Sequence, residues 1–449
     1  MSHADNGSCR ECQRCPAITY TANLLLAKRR DRAGGQRSPE PDVRPQWHNP
    51  RNTHVGVAPS ARLLSPACPV DFTYRVRQVQ ATTPVAAQAG RRGDRMSVAL
   101  MFDPDALVGE TLSGEWTVDS RVTPTAVQTG GNFSIGYLAS NSSGRRGYVK
   151  VLNYEEAFRS VDPTAALQRM TEAYNFERDL VDRCGIHRLS RVVAAYCHGT
   201  VRIAAFPIPI NYIVFEFAEF DIRRALDLSS DLDMAVKLRM CHNAASGLAQ
   251  LHAIGVAHQD VKPSNLLVFD HSTSGLANSK IADLGRATDR NVAAWHDSFT
   301  IAGDPTYAPP EQRYGEVHSS FALRRLACDL YQLGNLIAFI VTGTTMNARL
   351  DMHLHPAYAP ANWGGSYADV LAYVQAAHSL SLQDFAKSID HPLGDRIVQI
   401  VSCLTDPDAS RRGHPASHRA RQPFAMNRIV TELDLLSRRA EASLGRRTR

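Results

Sequence analysis

A chain of 449 residues with 44% hydrophobic and 21% charged residues has the balance of a globular protein, which excludes wholesale disorder and a fibrous class. The length exceeds one ordinary domain and suits a two-lobed protein with an appendage. The formal net charge is only +6, and much of the excess is arginine at the two ends (Arg29, Arg30, Arg91, Arg92, Arg446, Arg447, Arg449). That pattern reads as a solvated basic tail, so nucleic acid is not an expected partner.

The nine cysteines are scattered without regular pairing, as in a reducing compartment. The longest apolar run, Leu330 to Val341, is shorter than the ~20 residues of a membrane span, and Gln332 and Asn335 interrupt it. A cytoplasmic protein with no membrane attachment is expected.

Residues 1–95 mix Pro, Arg, Gln, Ser and Ala with no sustained period and are expected to be a disordered extension. Cys9, Cys12 and Cys15 form a C-x-x-C-x-x-C cluster there, but a structural zinc site needs four ligands and no well-spaced fourth follows. Met96 opens MSVALMFDPDALVGETLSGEW, which makes it an alternative start and residues 96–115 a lead-in segment. From Trp116 the stretches WTVDSRV, SIGYLAS and YVKVL alternate between turns such as NSSGRRG, which predicts a small antiparallel sheet. LQRMTEAYNFERDLVDRC, with Leu167, Met170, Tyr174 and Leu180 near helical spacing, predicts one helix within that sheet, followed by a strand pair over Val192 to Glu216. Beyond Asp221 the apolar period is mainly helical, as in MAVKLRMCHNAASGLAQLHAIG and CDLYQLGNLIAFIVTG.

Chemistry concentrates in the second half. The string His258-Gln259-Asp260-Val261-Lys262-Pro263-Ser264-Asn265 follows the helix ending in LHAIGVA. It resembles the catalytic loop H-R-D-x-K-P-x-N of the eukaryotic-type (Hanks-type) serine/threonine protein kinases at every position except Gln259. Asp283-Leu284-Gly285 resembles that family's D-F-G, after an inserted turn, HSTSGLANS. Gly303-Asp304-Pro305-Thr306-Tyr307-Ala308-Pro309-Pro310-Glu311 resembles its G-T-P-x-Y-x-A-P-E. Upstream, Tyr148-Val149-Lys150 stands where the family has A-x-K, and Thr129 to Tyr137 resembles its phosphate-covering hairpin, with Gly131 at the middle glycine.

The resemblance covers about three quarters of the chain and implies a two-lobed α+β fold. A small antiparallel β-sheet lobe with one helix (116–218) would precede a larger, mainly α-helical lobe (219–435), and residues 436–449 would be a basic tail. It implies ATP and Mg²⁺, with Mn²⁺ as an alternative ion, and a protein substrate offering a Ser/Thr hydroxyl. Asp260 would accept the hydroxyl proton, with Lys262 as a cation beside the γ-phosphoryl and Asn265 and Asp283 as metal ligands. Lys150 would grip the α- and β-phosphates, paired to Glu177, with Glu172 as the alternative partner. Adenine would meet Phe215 as gatekeeper, the backbone of Glu216 and Ala218, and Leu267 as floor. Glu311 would form a buried pair with Arg411 or Arg412, and Asp329 would hold the catalytic-loop backbone.

Two departures carry expectations. Gly136 stands where the family has a valine and Tyr148 where it has a small alanine, so the tyrosine is expected to refill the space above adenine. Gln259 replaces an arginine that commonly pairs with an activation-segment phosphate, a contact that neutral Gln cannot make. Activity without phosphorylation of Ser298, Thr300 or Thr306 is therefore expected. The alternative function is a pseudokinase, an ATP-binding or protein-interaction module on the same fold.

Overall fold

The computed structural model describes residues 103–123, 134–204, 206, 208–228, 232–269 and 278–447. The predicted extension over 1–95, Gly131 and most of the inserted turn lie outside the described residues.

The first lobe is a six-stranded antiparallel sheet in the order β1-β2-β3-β4-β6-β5. Its strands are β1 (Thr111–Leu112), β2 (Trp116–Arg121), β3 (Ser134–Asn141) and β4 (Arg146–Leu152), then β5 (Ala195–Val201) and β6 (Ile210–Glu216). Alternation decides the two faces. Val149 and Val151 on β4 are buried in a core with Trp116, Val118, Tyr137, Tyr212 and Val214, so the intervening Lys150 faces the other side. Between β4 and β5 run α1 (Tyr154–Arg159) and the long α2 (Pro163–Ile186). Helix α2 starts cleanly because Asp162 accepts from the Ala165 N–H and Pro163 takes the first turn.

The predicted start of this lobe at 116 falls inside its packed core. The lead-in segment is part of this lobe: Leu107 and Leu112 are fully buried in its core, and the Tyr137 hydroxyl donates to the Pro104 carbonyl at 2.8 Å. The short apolar stretch before Trp116 was too brief to show a period, yet it seals one end of the sheet.

The second lobe begins with β7 (Phe220–Asp221), α3 (Ile222–Leu228) and α4 (Met234–Ala253). Short strands β8 (Val256–Ala257), β9 (Leu266–Val268), β10 (Ser279–Ile281) and β11 (Thr288–Asp289) follow. They form two small sheets, β10-β9-β7 and β11-β8. The remaining helices are α5 (Pro310–Arg313), α6 (Ala327–Thr342), α7 (Met346–His353), α8 (Tyr367–Lys387), α9 (Gly394–Leu404), α10 (Pro415–Arg419) and α11 (Asn427–Arg447). Helix α6 is buried nearly all round and shares a core with α4, α9 and α11 through Leu248, Leu333, Ile337, Val401 and Leu433. Helix α11 continues past the predicted limit at 435, because Leu436 and Ala440 are also buried against that core. Among the described residues no single helix is long and apolar enough to cross a membrane.

Candidate active site

Among the described residues, the predicted site residues converge at the junction of the two lobes; Gly131 is not among them. Lys150 Nζ lies 2.7 and 2.9 Å from the two carboxylate oxygens of Glu177 and 2.9 Å from Asp283 Oδ1. Glu177 sits on the buried face of α2 with Tyr174, Leu180, Val181 and Cys184, a spacing set by the helical period. Glu172 instead faces outward and accepts from Gln168 at 2.9 Å, so Glu177 is the partner. Burial disfavours the Lys150 ammonium, but the two carboxylates outweigh it and raise its pKa. The Lys150 cation in turn holds the Asp283 carboxyl far below the usual carboxylate range, against the opposing effect of burial.

The catalytic-loop segment is anchored from below. Helix α4 stops at Ala253, and Gly255 just beyond it takes a φ of +79°, which suits glycine and reverses the chain. After β8, Asp329 of α6 accepts the backbone N–H groups of His258 (2.7 Å) and Gln259 (2.8 Å). Gln332, one turn further along the buried helix, accepts from Val261 N–H (2.9 Å) and donates to the Gln259 carbonyl (2.9 Å). This clamp holds Gln259 at a φ of +65°, a conformation costly for a non-glycine residue unless its surroundings enforce it.

Asp260 is thereby presented with both carboxylate oxygens occupied by donors. Lys262 Nζ lies 3.0 Å from Oδ2, the Asn265 amide donates to the same oxygen at 3.0 Å, and the Asp304 backbone N–H donates to Oδ1 at 2.8 Å. Asp304 also brings its own carboxylate to 3.5 Å from Lys262, so Lys262 serves two acids. Gly303 is required beside them: a Cβ there would meet the Gln259 carbonyl at 2.2 Å.

Asn265 and Asp283 are joined through the backbone, Ala282 N–H donating to the Asn265 carbonyl at 2.9 Å. Asn265 turns its amide nitrogen toward Asp260 (2.8 Å to the carbonyl). Together with the ionised Asp283 this offers hard oxygen donors, the chemistry that suits Mg²⁺. Phe215, Ala218 and Leu267 pack together on Val193, Phe269 and Ala282, forming one apolar patch. Glu216 closes its edge: its carboxylate is 2.6 Å from Lys280 Nζ and accepts from Ala194 N–H at 2.8 Å. On the neighbouring strand β4, Tyr148 pairs across strands with Leu138 and Phe215. Its ring lies so close over Gly136 that a Cβ there would meet the phenol oxygen at 2.3 Å.

Leu284 is buried in a cluster with Leu180 and Cys184 of α2 and with Val192 and Leu251, which ties the D-L-G turn to the helix bearing Glu177. Glu311 pairs with Arg412, whose Nη1 is 2.7 Å from Oε1. Arg411 is exposed and lies 3.4 Å from Asp406 instead. Three contributors went unread in the sequence: Gln332, Asp304 and Arg325, whose side chain bonds Gln259. The signal for Gln332 was available, since an amide inside an otherwise apolar helix needs a buried partner.

Comparison with known proteins bears on the fold. The protein kinase domain family model matches residues 140–359. The chain is 26% identical to the serine/threonine-protein kinase PknA of Mycobacterium tuberculosis over 238 residues, 51% of this chain and 46% of that protein. It is 25% identical to the probable serine/threonine-protein kinase PknB of Lactococcus lactis over 296 residues, 64% of this chain and 44% of that protein. A shorter match, 34% over 101 residues, is to rat serine/threonine-protein kinase DCLK1 and covers 22% of each chain. The chain thus spans less than half the length of these curated relatives.

Proposed function

With residues 140–359 belonging to the Hanks-type serine/threonine protein kinase family, we propose that this chain transfers the γ-phosphoryl of ATP to a Ser or Thr hydroxyl of a protein substrate. The observation that carries the reading is the pair of assembled ion contacts, Lys150–Glu177–Asp283 on one side and Asp260–Lys262 on the other.

The chemistry follows from what each group can do. The acceptor hydroxyl attacks the γ-phosphorus, a new O–P bond forms, the bond to the β,γ-bridging oxygen breaks, and ADP departs. Asp260, oriented by three donors, takes the hydroxyl proton. Lys262 stands beside the charge that develops on the transferring phosphoryl. Lys150, kept cationic by Glu177 and Asp283, orients the α- and β-phosphates, and the Phe215, Ala218 and Leu267 patch receives adenine. Asn265 and Asp283 would hold magnesium, which when bound neutralises phosphate charge. Little covalent work is asked of the protein, so positioning and electrostatics supply the acceleration.

A second reading, a nucleotide-binding or interaction module without transfer, is favoured by one observation: the Tyr148 ring occupies space over Gly136 on the wall facing adenine. The test is transfer of label from γ-labelled ATP with Mg²⁺ onto a generic basic protein, comparing wild type with Asp260→Asn. The variant should lose about 10²–10⁴ in rate while ATP affinity holds. Label that persists in the variant, or ATP binding with no transfer in wild type, would reject the assignment.

A further inference from the structure

The residue that departs from the family loop, Gln259, is fully engaged. Its side-chain amide nitrogen donates to the Arg325 carbonyl (2.8 Å) and to Asp329 Oδ1 (3.0 Å), and its side-chain oxygen accepts from Arg325 Nη1 (3.2 Å). Gln259 and Arg325 therefore bond each other reciprocally. Arg325 lies in a single π-helical turn, Ala322–Leu326, that leads into α6. Such wide turns re-aim side chains, often at functional positions. Here the guanidinium is buried at 2% exposure.

The other end of that guanidinium reaches the segment between β11 and α5. Arg325 Nη2 donates to the Asp297 carbonyl at 3.0 Å and lies 3.5 Å from the Asp297 carboxylate. Its neighbour Arg324 donates to the carbonyls of Asp297 (2.6 Å) and Phe299 (3.1 Å). The Asp297 carboxylate also accepts from Ala294 N–H at 2.7 Å, closing the short turn that holds His296. His296 is buried, donates to the Ala287 carbonyl (2.8 Å), and meets Phe176 edge-on at 6.0 Å. Phe176 directly precedes Glu177, the partner of Lys150. A continuous set of contacts thus runs from the catalytic loop through Arg325 and Asp297 to α2.

We propose that Arg325 is the positioning residue of the activation segment, with Asp297 as an encoded carboxylate standing where a phosphate would otherwise be needed. The arginine lost from position 259 is supplied from the approach to α6, and Gln259 is its receptor. A guanidinium has five donors in a rigid fork, enough to hold the catalytic-loop amide and the segment's carbonyl together. This inference rests on the kinase reading above and adds to it the element that keeps the site assembled.

The test uses the full chain after phosphatase treatment, as wild type, Arg325→Gln, Asp297→Asn and Gln259→Arg. Turnover is measured with hydrogen exchange over residues 290–300 and a thermal melt. Wild type should keep its turnover after phosphatase. Arg325→Gln and Asp297→Asn should lower kcat about 10–100-fold, the scale of a small misplacement of reacting groups, leave KM for ATP unchanged, and speed exchange over 290–300. Gln259→Arg, which restores the family residue, should lower kcat as well, because two guanidiniums would face each other. Asp297 is partly exposed, so its variant decides the matter should Arg325→Gln fail to fold. Unchanged kcat and exchange in Asp297→Asn, or a wild type that works only when phosphorylated, would overturn the proposal. If wild type transfers no phosphate at all, the kinase reading falls separately and the exchange data alone judge the latch.

Discussion

Tyr148 is where a single side chain most alters the site. It occupies the position of a small residue in the family pattern, and the missing bulk at Gly136 makes room for it, since any Cβ at 136 would strike the phenol oxygen. Volume is conserved by the exchange, as packed interiors require. If the ring is the roof of the adenine site, Tyr148→Ala should weaken ATP binding about three- to tenfold, the worth of an aromatic contact, and adding Gly136→Val should recover part of the loss. Isothermal titration with a non-hydrolysable ATP analogue checks this; tighter binding by Tyr148→Ala would make the ring an obstruction and strengthen the non-transferring alternative. Asp304 is a second residue-scale departure. Where the family pattern has threonine, this chain puts a carboxylate 3.5 Å from Lys262, adding negative charge beside Asp260.

At the scale of elements, helix α6 does the most positioning. Its Asp329 and Gln332 hold the catalytic-loop backbone, and its Asn335 accepts from Asn347 N–H at 3.0 Å to fix the start of α7. The start of α5 is fixed differently, by the buried Glu311–Arg412 pair, in which Arg412 also donates to the carbonyls of Asp406 (2.7 Å) and Ala327 (3.3 Å) and stacks over Tyr331. Neutralising either member of the pair would leave the other's buried charge uncompensated. Glu311→Gln should therefore destabilise the protein by about 3–5 kcal/mol, read as a lower midpoint in urea unfolding; a change below about 1 kcal/mol would mean that the pair relaxes into solvent.

At the scale of the whole molecule, the buried His378 and the half-buried His242 predict a loss of stability in acid. Burial pushes His378 down to about 4, with the Arg412 charge adding to the effect, and its ring is bonded to Thr405 at 2.9 Å; burial lowers His242 similarly, to about 4. An unfolded histidine titrates near 6.5, so between about pH 6.5 and 4 the unfolded chain binds the extra proton. Stability should fall as pH drops through that window, and His378 alone should account for up to about 3 kcal/mol. Urea midpoints at pH 7 and 4.5 for wild type and His378→Gln measure it; an equal acid loss in both would remove His378 as the cause. Part of this was legible from the chain alone: the strand bearing Lys150 and the helix bearing Glu177 follow from local periods, and the motifs around Asp260, Asp283 and Glu311 were readable by their resemblance to a family pattern in the same order. What the linear pattern left open was set by contacts between distant segments. Glu177 over Glu172, Arg412 over Arg411, the burial of Leu107 and Leu112, and the reach of Arg325 to Gln259 across 66 residues each depend on which face of an element meets which neighbour. Period and composition fix a residue's face on its own helix or strand, whereas the partner across the gap is chosen only when desolvated charges and amides must find one another in the folded core.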